Sequence, residues 1–276
     1  MAGEFDGKVA VVTGASSGIC RVTLTSFVRS GARGIIADIN EEWGRRVADG
    51  LRAEGGEAAF VKTDVTNGES VAGLFDEVMR MYGGVDILVN CAGVGVHKLI
   101  VEMSDEEWDF QVDTQLRAVF LTCRAAARLM IRQGHGGRII NFGSTGGLVA
   151  RVRSAAHGAS KAGVVHFTKV LAQELGPHGI TANVVAPGLT DIRAISKAYP
   201  TDEYIQRFVQ EVPLGRLADP QEIADVVLFI ASDRARFVSG QAIYVDGGYS
   251  TGKLSIDGPH RTVHAPVGRR DGGEAS

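Results

Sequence analysis

Short apolar runs alternate along the chain with longer stretches in which apolar residues recur every three to four positions. The short runs predict strands and the longer stretches predict helices. The predicted strands are Lys8–Thr13, Gly34–Asp38, Glu57–Lys62, Val85–Asn90, Arg138–Phe142, Ile180–Val185 and Gln241–Asp246. Strands separated by helices of this length require crossover connections, so the pattern indicates an α/β fold with a parallel sheet covered on both faces.

Several predicted helices carry clear end signals. Ser104 with Glu107 predicts a capping box, and the helix that follows continues, with a bend, to about Gln133. A helix that starts near Ala155 is expected to end at about Leu175, and Asp219 is expected to cap the last one. These signals place the elements without fixing their neighbours in the sheet.

The bulk composition indicates one large domain. The chain has 276 residues, of which 45% are hydrophobic and 22% charged, and this is enough for a full core. We expect residues 1–250 to form the catalytic domain, with a substrate lid at about 189–212. Residues 251–276 lack periodicity and are expected to form a mobile tail.

Charge and cysteine content restrict the partners and the compartment. The formal net charge of -3 shows no basic surplus that would favour nucleic acid or an anionic membrane surface. No apolar stretch is long enough for a membrane span or signal core. Three scattered cysteines predict a reduced protein rather than a disulfide framework, and no metal-ligand spacing is found. We therefore expect a cytoplasmic protein.

A glycine turn joins the first predicted strand to the first helix. In Gly14-Ala15-Ser16-Ser17-Gly18 the backbone can approach a pyrophosphate, which the helix amino terminus would also attract. Asp38 ends the next strand, where its carboxylate can accept hydrogen bonds from the ribose hydroxyls of adenosine. The same charge would repel a 2′-phosphate, so NAD is favoured over NADP. The alternative is that Asp38 only caps the following helix.

The stretch from Ser144 to Lys161 brings a hydroxyl, an imidazole and an ammonium together. His157 and Lys161 are four residues apart on a predicted helix, so they share one face about one turn apart. An acid/base group beside a cation is a plausible reaction centre. On these residues alone, a solvated helix edge explains the pattern equally well.

An ordered set of motifs gives the chain a family resemblance. The set consists of Thr13-Gly14-Ala15-Ser16-Ser17-Gly18-Ile19, Asp64-Val65, Asn90-Cys91-Ala92-Gly93, Ser144, Lys161, Pro187-Gly188 and Asp246-Gly247-Gly248. Together these motifs resemble the short-chain dehydrogenase/reductase family from Lys8 to about Tyr249. The resemblance implies a single-domain, doubly wound Rossmann-like sheet of seven parallel strands. It also implies a nicotinamide dinucleotide at the carboxyl edge of the sheet, and a homotetramer or homodimer.

The resemblance also implies residue roles. Asp64 and Val65 would hold the adenine, while Asn90, followed by Ala92 and Gly93, would steady the central strands beside the cofactor. Pro187 and Gly188 would flank the nicotinamide. Ser144 would hydrogen-bond the substrate oxygen, and Lys161 would bind the nicotinamide ribose and lower the pKa of the proton-transferring residue.

Four positions depart from the family pattern. Cys20 stands where the third glycine of the turn is expected, and its side chain implies a tighter fit or weaker cofactor binding. Gln115 replaces an active-site asparagine and could hold a water one methylene away from the usual place. Ile192 occupies the place of a threonine that bonds the cofactor, and Thr190 is a partial substitute. His157 occupies the place of the catalytic tyrosine.

An imidazole at position 157 is chemically competent, because it titrates near neutral pH without help. Lys161 would favour its neutral form, which suits a base in alcohol oxidation better than an acid in ketone reduction. The sequence thus predicts an NAD-dependent oxidoreductase that interconverts a secondary alcohol and a ketone. Two alternatives stay open because imidazole is shorter than phenol: a non-redox enzyme on the same scaffold, or a cofactor-binding protein with little catalysis.

Two arginines lie between Ser144 and His157. Arg151 and Arg153 could contact an anionic substrate or could be solvated loop residues. His97 follows the fourth strand and is expected at the rim of the pocket as a loop residue.

Overall fold

The computed structural model describes residues 3–93, 95–193 and 201–252. Seven parallel strands form one sheet in the order β3-β2-β1-β4-β5-β6-β7. They are β1 Val9–Thr13, β2 Arg33–Asp38, β3 Glu57–Lys62, β4 Ile87–Asn90, β5 Gly137–Phe142, β6 Ile180–Pro187 and β7 Ala242–Val245. The order reverses between β1 and β4, and ligands of such sheets bind at that switch point. The predicted seven-stranded Rossmann-like fold is confirmed.

Helices cover both faces of this sheet. They are α1 Gly18–Arg29, α2 Glu41–Ala53, α3 Gly68–Tyr82, α4 Asp105–Val112, α5 Ala118–Gln133, α6 Ala155–Leu175, α7 Asp202–Glu211 and α8 Pro220–Ala231. On one face α1 packs against α8, and on the other α3 packs against α5. Among the described residues, no helix is both long and apolar enough to cross a membrane.

Alternate residues of the strands feed two separate hydrophobic cores. In β1, Val9 and Val11 belong to one core, and Ala10 and Val12 belong to the other. Every residue of β1 is buried. A strand buried on both faces carries a continuous apolar run rather than an alternating one, which explains the run that predicted it.

The predicted end signals agree with the helix ends. Ser104 and Glu107 form the predicted capping box of α4. The Asp219 side chain accepts a hydrogen bond from the Gln221 N–H at the start of α8. The predicted bend is a turn of π-helix at Asp113–Arg117, which separates α4 from α5.

The predicted lid and tail are only partly described. α7 lies in the segment 189–212, with Ile205 and Phe208 buried. Residues 194–200 of the lid, and 253–276 of the predicted tail, lie outside the described residues. The division into one catalytic domain and a tail stays a prediction.

The expectation that all cysteines are reduced is wrong for two of them. Cys20 in α1 and Cys91 after β4 form a disulfide, with their Cα atoms 5.7 Å apart and a sequence separation of 71. The pair became possible because β1 and β4 are neighbours in the sheet, which brings the start of α1 next to the end of β4. Cys123 is free and buried, and burial raises the pKa of its thiol to about 12.

We predict that thiol alkylation distinguishes these cysteines. In denatured protein that has not been reduced, a maleimide should label Cys123 alone, and after reduction it should label Cys20 and Cys91 as well. The Cys20→Ser variant should lose up to about 4 kcal/mol of unfolding free energy, because the disulfide closes a long loop in the unfolded chain. Wild-type protein in reductant serves as the control, since it should unfold at the same denaturant concentration as Cys20→Ser. Labelling of all three thiols before reduction would contradict the disulfide.

Candidate active site

The glycine turn lies where β1 and β4 approach each other. Gly14 has a φ of +72°, and a Cβ placed on it would lie 2.9 Å from the Ala92 Cα. The Thr13 Oγ1 accepts hydrogen bonds from the N–H groups of Cys91 (3.1 Å) and Ala92 (3.2 Å). Only glycine combines this backbone conformation with this close approach. The turn is therefore held against the end of β4.

The amino terminus of α1 suits an anion. α1 begins at Gly18, whose φ is +60° and around which a Cβ would meet open space. The preceding Ser17 makes no side-chain capping hydrogen bond, and the first turn of α1, which includes Ile19, contains no acidic residue. An uncapped helix amino terminus beside a glycine turn fits the pyrophosphate of a dinucleotide.

Cys20, the departure in this turn, has its side chain bonded to Cys91. Both cysteines pack against the core cluster on the α1 face of the sheet. The side chain that replaces glycine is thus directed at β4 and fixed there. The disulfide therefore joins the two segments that border the predicted cofactor site.

Asp38 lies buried at the end of β2 and faces the glycine turn. Its Oδ2 accepts from the Ser16 N–H (3.0 Å) and from the Ser16 hydroxyl (2.6 Å), and its Oδ1 accepts from the Asn40 N–H (2.9 Å). The cap of α2 is Asn40, not Asp38. The simple capping alternative is thus not supported, and the carboxylate is set beside the turn where an adenosine ribose would lie.

Asp64 and Val65 follow β3, one strand further out. The Asp64 carboxylate accepts from the N–H (2.9 Å) and the hydroxyl (2.7 Å) of Thr66, and Val65 is buried. The Thr63 N–H donates to the Asp38 carbonyl at 2.9 Å, so this segment adjoins the end of β2. The structure thus places both residues at the edge where the adenine is expected.

Asn90 connects the central strands through a buried polar network. Its Nδ2 donates to the Asn141 Oδ1 of β5 at 2.9 Å, and its Oδ1 accepts from the Thr122 hydroxyl of α5 at 2.7 Å. Asn141 in turn donates to the Thr168 hydroxyl of α6 at 2.9 Å. The network joins β4, β5, α5 and α6 at the strand end that Ala92 and Gly93 follow in sequence.

Ser144, His157 and Lys161 are brought together at the end of β5. A Cβ placed on Gly146 would lie 3.4 Å from the Ser144 Oγ and 3.5 Å from the His157 Nε2, so both polar atoms border the same small space. The Ser144 Oγ accepts from the Gly146 N–H at 3.0 Å. Lys161 is buried, and its ammonium donates to the Phe142 carbonyl at 2.8 Å.

Burial and neighbouring cations keep His157 neutral. Burial lowers the pKa of His157 to about 4, and the charges of Lys161, His97 and Arg151 lower it in the same direction. Burial also lowers the pKa of Lys161 to about 8. The Nδ1 of His157 is buried without a hydrogen-bond partner in the described part of the chain. At neutral pH the site thus holds a neutral base beside a cation.

Gln115 lies in the π-helical turn between α4 and α5. It is buried, and its Nε2 contacts the Gln111 Oε1 at 3.3 Å, while Gln111 donates to the Val96 carbonyl at 2.9 Å. The Gln115 Cγ lies 4.0 Å from the position of a Cβ on Gly93. π-helical turns widen a helix locally and are frequent at functional sites. This turn directs Gln115 toward the segment that follows β4.

Pro187 and Gly188 end β6 at the same edge. The Gly188 N–H donates to the Val245 carbonyl at 3.0 Å, and a Cβ on Gly188 would lie 2.9 Å from the Asp246 Cβ. Thr190 is buried and donates to the Gly188 carbonyl at 3.2 Å. Ile192 follows two residues after Thr190. The structure thus brings these residues to the entrance of the predicted lid.

An aromatic cluster around Arg151 was missed by the sequence analysis. The guanidinium carbon lies 4.7 Å from the Phe208 ring centroid and 5.0 Å from that of Tyr249, and the Arg151 Nη1 donates to the Tyr204 Oη at 3.1 Å. Arg153, by contrast, is exposed. The aromatic residues of α7 recur at helical spacing in the sequence, which could have indicated the cluster. Nothing in the local sequence indicates that Arg151 is their partner.

His97 lies close to the site but outside its centre. Its Nδ1 is 3.5 Å from the Ser154 Oγ at the start of α6, and its charge contributes to the lowered pKa of His157. It follows β4, as predicted. Its place at the rim of the pocket stays a prediction.

Known proteins share this fold over most of the chain. Residues 14–250 match the family described as enoyl-(acyl carrier protein) reductase. The chain is 39% identical to the 3-oxoacyl-acyl-carrier-protein reductase FabG of Escherichia coli, over 89% of this chain and 98% of that protein. It is 37% identical to a cyclopentanol dehydrogenase of a Comamonas species, over 90% of this chain and 99% of that protein.

A solved structure agrees with these relatives. The crystal structure of a short-chain type dehydrogenase/reductase from Mycobacterium marinum is similar with a TM-score of 0.84 and 35% identity, covering 90% of this chain and 97% of that one. Sequence and fold therefore give the same assignment. The chain belongs to the short-chain dehydrogenase/reductase family and is an oxidoreductase of that family.

Proposed function

We propose that this protein is an NAD-dependent dehydrogenase that oxidises a secondary alcohol to a ketone, with His157 as the base. The observation that carries the proposal is the half-buried, neutral His157 imidazole. Its Nε2 borders the same space as the Ser144 hydroxyl, and His157 lies on the same helix as Lys161. Similarity to a reductase and to a cyclopentanol dehydrogenase supports alcohol and ketone chemistry.

Each residue of the site has a separate role in the proposed reaction. The Ser144 hydroxyl donates a hydrogen bond to the substrate oxygen, and the neutral His157 accepts the proton of the alcohol hydroxyl. Bound NAD supplies the acceptor for the hydride that leaves the alcohol carbon. Lys161, fixed on the Phe142 carbonyl, places a positive charge near the ribose and the developing oxyanion. Gln115 orients a water within reach of the site.

The direction of the reaction follows from the protonation state of His157. With a pKa of about 4, only about one imidazole in a thousand is protonated at pH 7. A neutral imidazole can accept the alcohol proton, whereas protonation of a ketone needs the scarce imidazolium form. The site thus favours oxidation over reduction at neutral pH.

The nucleotide preference rests on Asp38. A carboxylate that already binds Ser16 and Asn40 retains acceptor capacity for a ribose hydroxyl. A 2′-phosphate in the same place would meet a like charge. Asp38 therefore favours NAD over NADP.

Assembly and location are separate proposals. Trp108, Phe110 and Phe120 are exposed on α4 and α5, and apolar surface of this kind supports an interface in a homotetramer or homodimer. Location in the cytoplasm stays a prediction from the sequence. The Cys20–Cys91 disulfide counts against it, because disulfides are rare in reducing compartments.

We predict that Asp38 sets the cofactor preference. Thermal-shift titration should give a lower dissociation constant for NAD than for NADP. Asp38→Ser should reduce the ratio of the NADP to the NAD dissociation constant by about tenfold, because the like-charge repulsion is removed. Asp49→Ser, on the exposed face of α2, makes the same charge change away from the turn and should leave the ratio unchanged. Equal affinity of the wild type for NAD and NADP would overturn the NAD assignment.

We predict that His157 carries the proton transfer. His157→Phe should lower the turnover number for alcohol oxidation by at least about 100-fold, the usual contribution of a general base, while NAD still stabilises the protein. His166→Phe, on an exposed position of the same helix, should leave turnover unchanged. If His157→Phe retains full turnover, the base lies elsewhere.

His157→Tyr separates the proposed function from its two alternatives. A loss of activity on the preferred alcohol indicates a site specialised for imidazole. A large gain on simple alcohols indicates a scaffold with little catalysis of its own. NAD binding without turnover by either protein would favour a non-redox or cofactor-binding role.

We predict a broad pH profile for oxidation. Since His157 must be neutral and Lys161 charged, kcat/KM should rise as pH increases through about 4 and fall as pH increases through about 8. Initial rates in short assays across this range test the profile. If kcat/KM instead rises with a midpoint near about pH 6.5, the ordinary pKa of histidine, then His157 is solvated and its pKa is not lowered by burial.

A further inference from the structure

We propose that the substrate carries a carboxylate, and that the Arg151 guanidinium binds it. This inference rests on the proposed dehydrogenase function and adds the substrate class: a hydroxy acid oxidised to an oxo acid. The oxidation itself is the one described above, with the hydride passing to NAD and the proton to His157. The carboxylate takes no part in bond making and serves to hold the substrate.

Arg151 lies between the reaction centre and the lid. It belongs to the loop that joins Ser144 at the end of β5 to His157 in α6. Its guanidinium contacts Phe208 and Tyr204 of α7 and Tyr249 after β7. A group bound to this guanidinium would therefore lie beside α7, and the guanidinium is close enough to His157 for its charge to lower the pKa of that imidazole.

The guanidinium has an unused, buried donor. The Arg151 Nη2 is buried and has no hydrogen-bond partner among the described residues. A buried donor without a partner costs free energy, and native proteins rarely leave one. Because the group is a cation, the partner that satisfies it best is an anion.

Two acidic side chains of the predicted lid segment are bound to other arginines. Glu203 of α7 pairs with Arg207 at 2.7 Å, and Asp191 at the start of the lid segment pairs with Arg193 at 2.5 Å. In the described part of the chain, no ion pair involves Arg151. Among these residues, no Asp or Glu side chain neutralises the charge of Arg151.

The aromatic rings favour a planar anion in the plane of the guanidinium. The Phe208 and Tyr249 rings are stacked on each other at 4.8 Å, and the guanidinium carbon lies within 5.0 Å of both centroids. Contacts with aromatic faces leave the in-plane N–H groups for hydrogen bonds. A carboxylate matches this fork and carries the single charge that one arginine neutralises.

Arg151 could instead act only as a latch that fastens the lid to the catalytic loop. The Tyr204 hydrogen bond and the aromatic contacts would serve that purpose without an anion. A latch affects all substrates equally, whereas a carboxylate site affects acids alone. Paired substrates therefore distinguish the two roles.

The test compares short hydroxy acids with their methyl esters, at saturating NAD, in wild type and in Arg151→Gln. We expect a higher kcat/KM for the acid of at least one pair in the wild type. Arg151→Gln should lower kcat/KM for that acid by about 10- to 100-fold, the usual effect of losing a hydrogen bond to a charged group. The ester should change by less than about threefold, and Arg151→Lys should recover part of the activity on the acid.

Arg153→Gln is the matched control, because Arg153 is an exposed arginine in the same loop. It should leave both members of the pair unchanged. Equal losses for acid and ester in Arg151→Gln would reduce Arg151 to a latch and overturn the proposal. No preference for the acid in any wild-type pair would overturn it as well.

A binding measurement separates this inference from the proposed function. Butanoate has the carboxylate but no alcohol, and it should raise the melting temperature of the NAD-saturated wild type but not of Arg151→Gln. Butanamide should raise neither. Turnover of esters without stabilisation by butanoate would leave a dehydrogenase with no carboxylate site. Stabilisation by butanoate without turnover of any alcohol would retain the anion site and refute the dehydrogenase.

Discussion

The hydrogen bond from the buried Lys161 ammonium to the Phe142 carbonyl joins the catalytic helix to the end of β5. Through this bond α6 is fixed relative to the loop that carries Ser144, so the position of His157 follows from it. The bond also stabilises a charge where little water reaches. Burial lowers the pKa of both His157 and Lys161, and the Lys161 charge one helical turn away lowers the pKa of His157 further. One contact thus sets both the geometry and the electrostatics of the site.

Most of the fold could be predicted because both faces of the sheet are covered. Strands buried on both faces give continuous apolar runs, and β3 begins and ends where the sequence pattern placed it. The observed bounds of strands and helices differ from the predicted ones where tertiary contacts determine them. β6 extends to Pro187 because its last residues pair with β7, which local periodicity does not report. The π-helical turn at Asp113–Arg117 was predicted only as a bend, since one wider turn hardly alters the apolar pattern.

The site could be predicted where its residues lie at strand ends and not where they meet across the sheet. Gly14, Asp38 and Ser144 each follow an apolar run, so a parallel sheet brings them to one edge. The cysteine pair depends on β4 lying beside β1, and this order is not contained in the local pattern around Cys20 or Cys91. Once the strand order is known, the proximity of the two cysteines follows.

A carboxylate on Arg151 would change more than substrate affinity. The positive charge of Arg151 is one of the causes that lower the pKa of His157. An anion paired with that guanidinium offsets the charge, so the pKa of His157 rises when the substrate is bound. A higher pKa makes the imidazole a stronger base while it remains neutral at physiological pH. Binding of a carboxylate at Arg151 and proton transfer at His157 would thus be coupled through one arginine, and the imidazole would gain basicity when the substrate is in place.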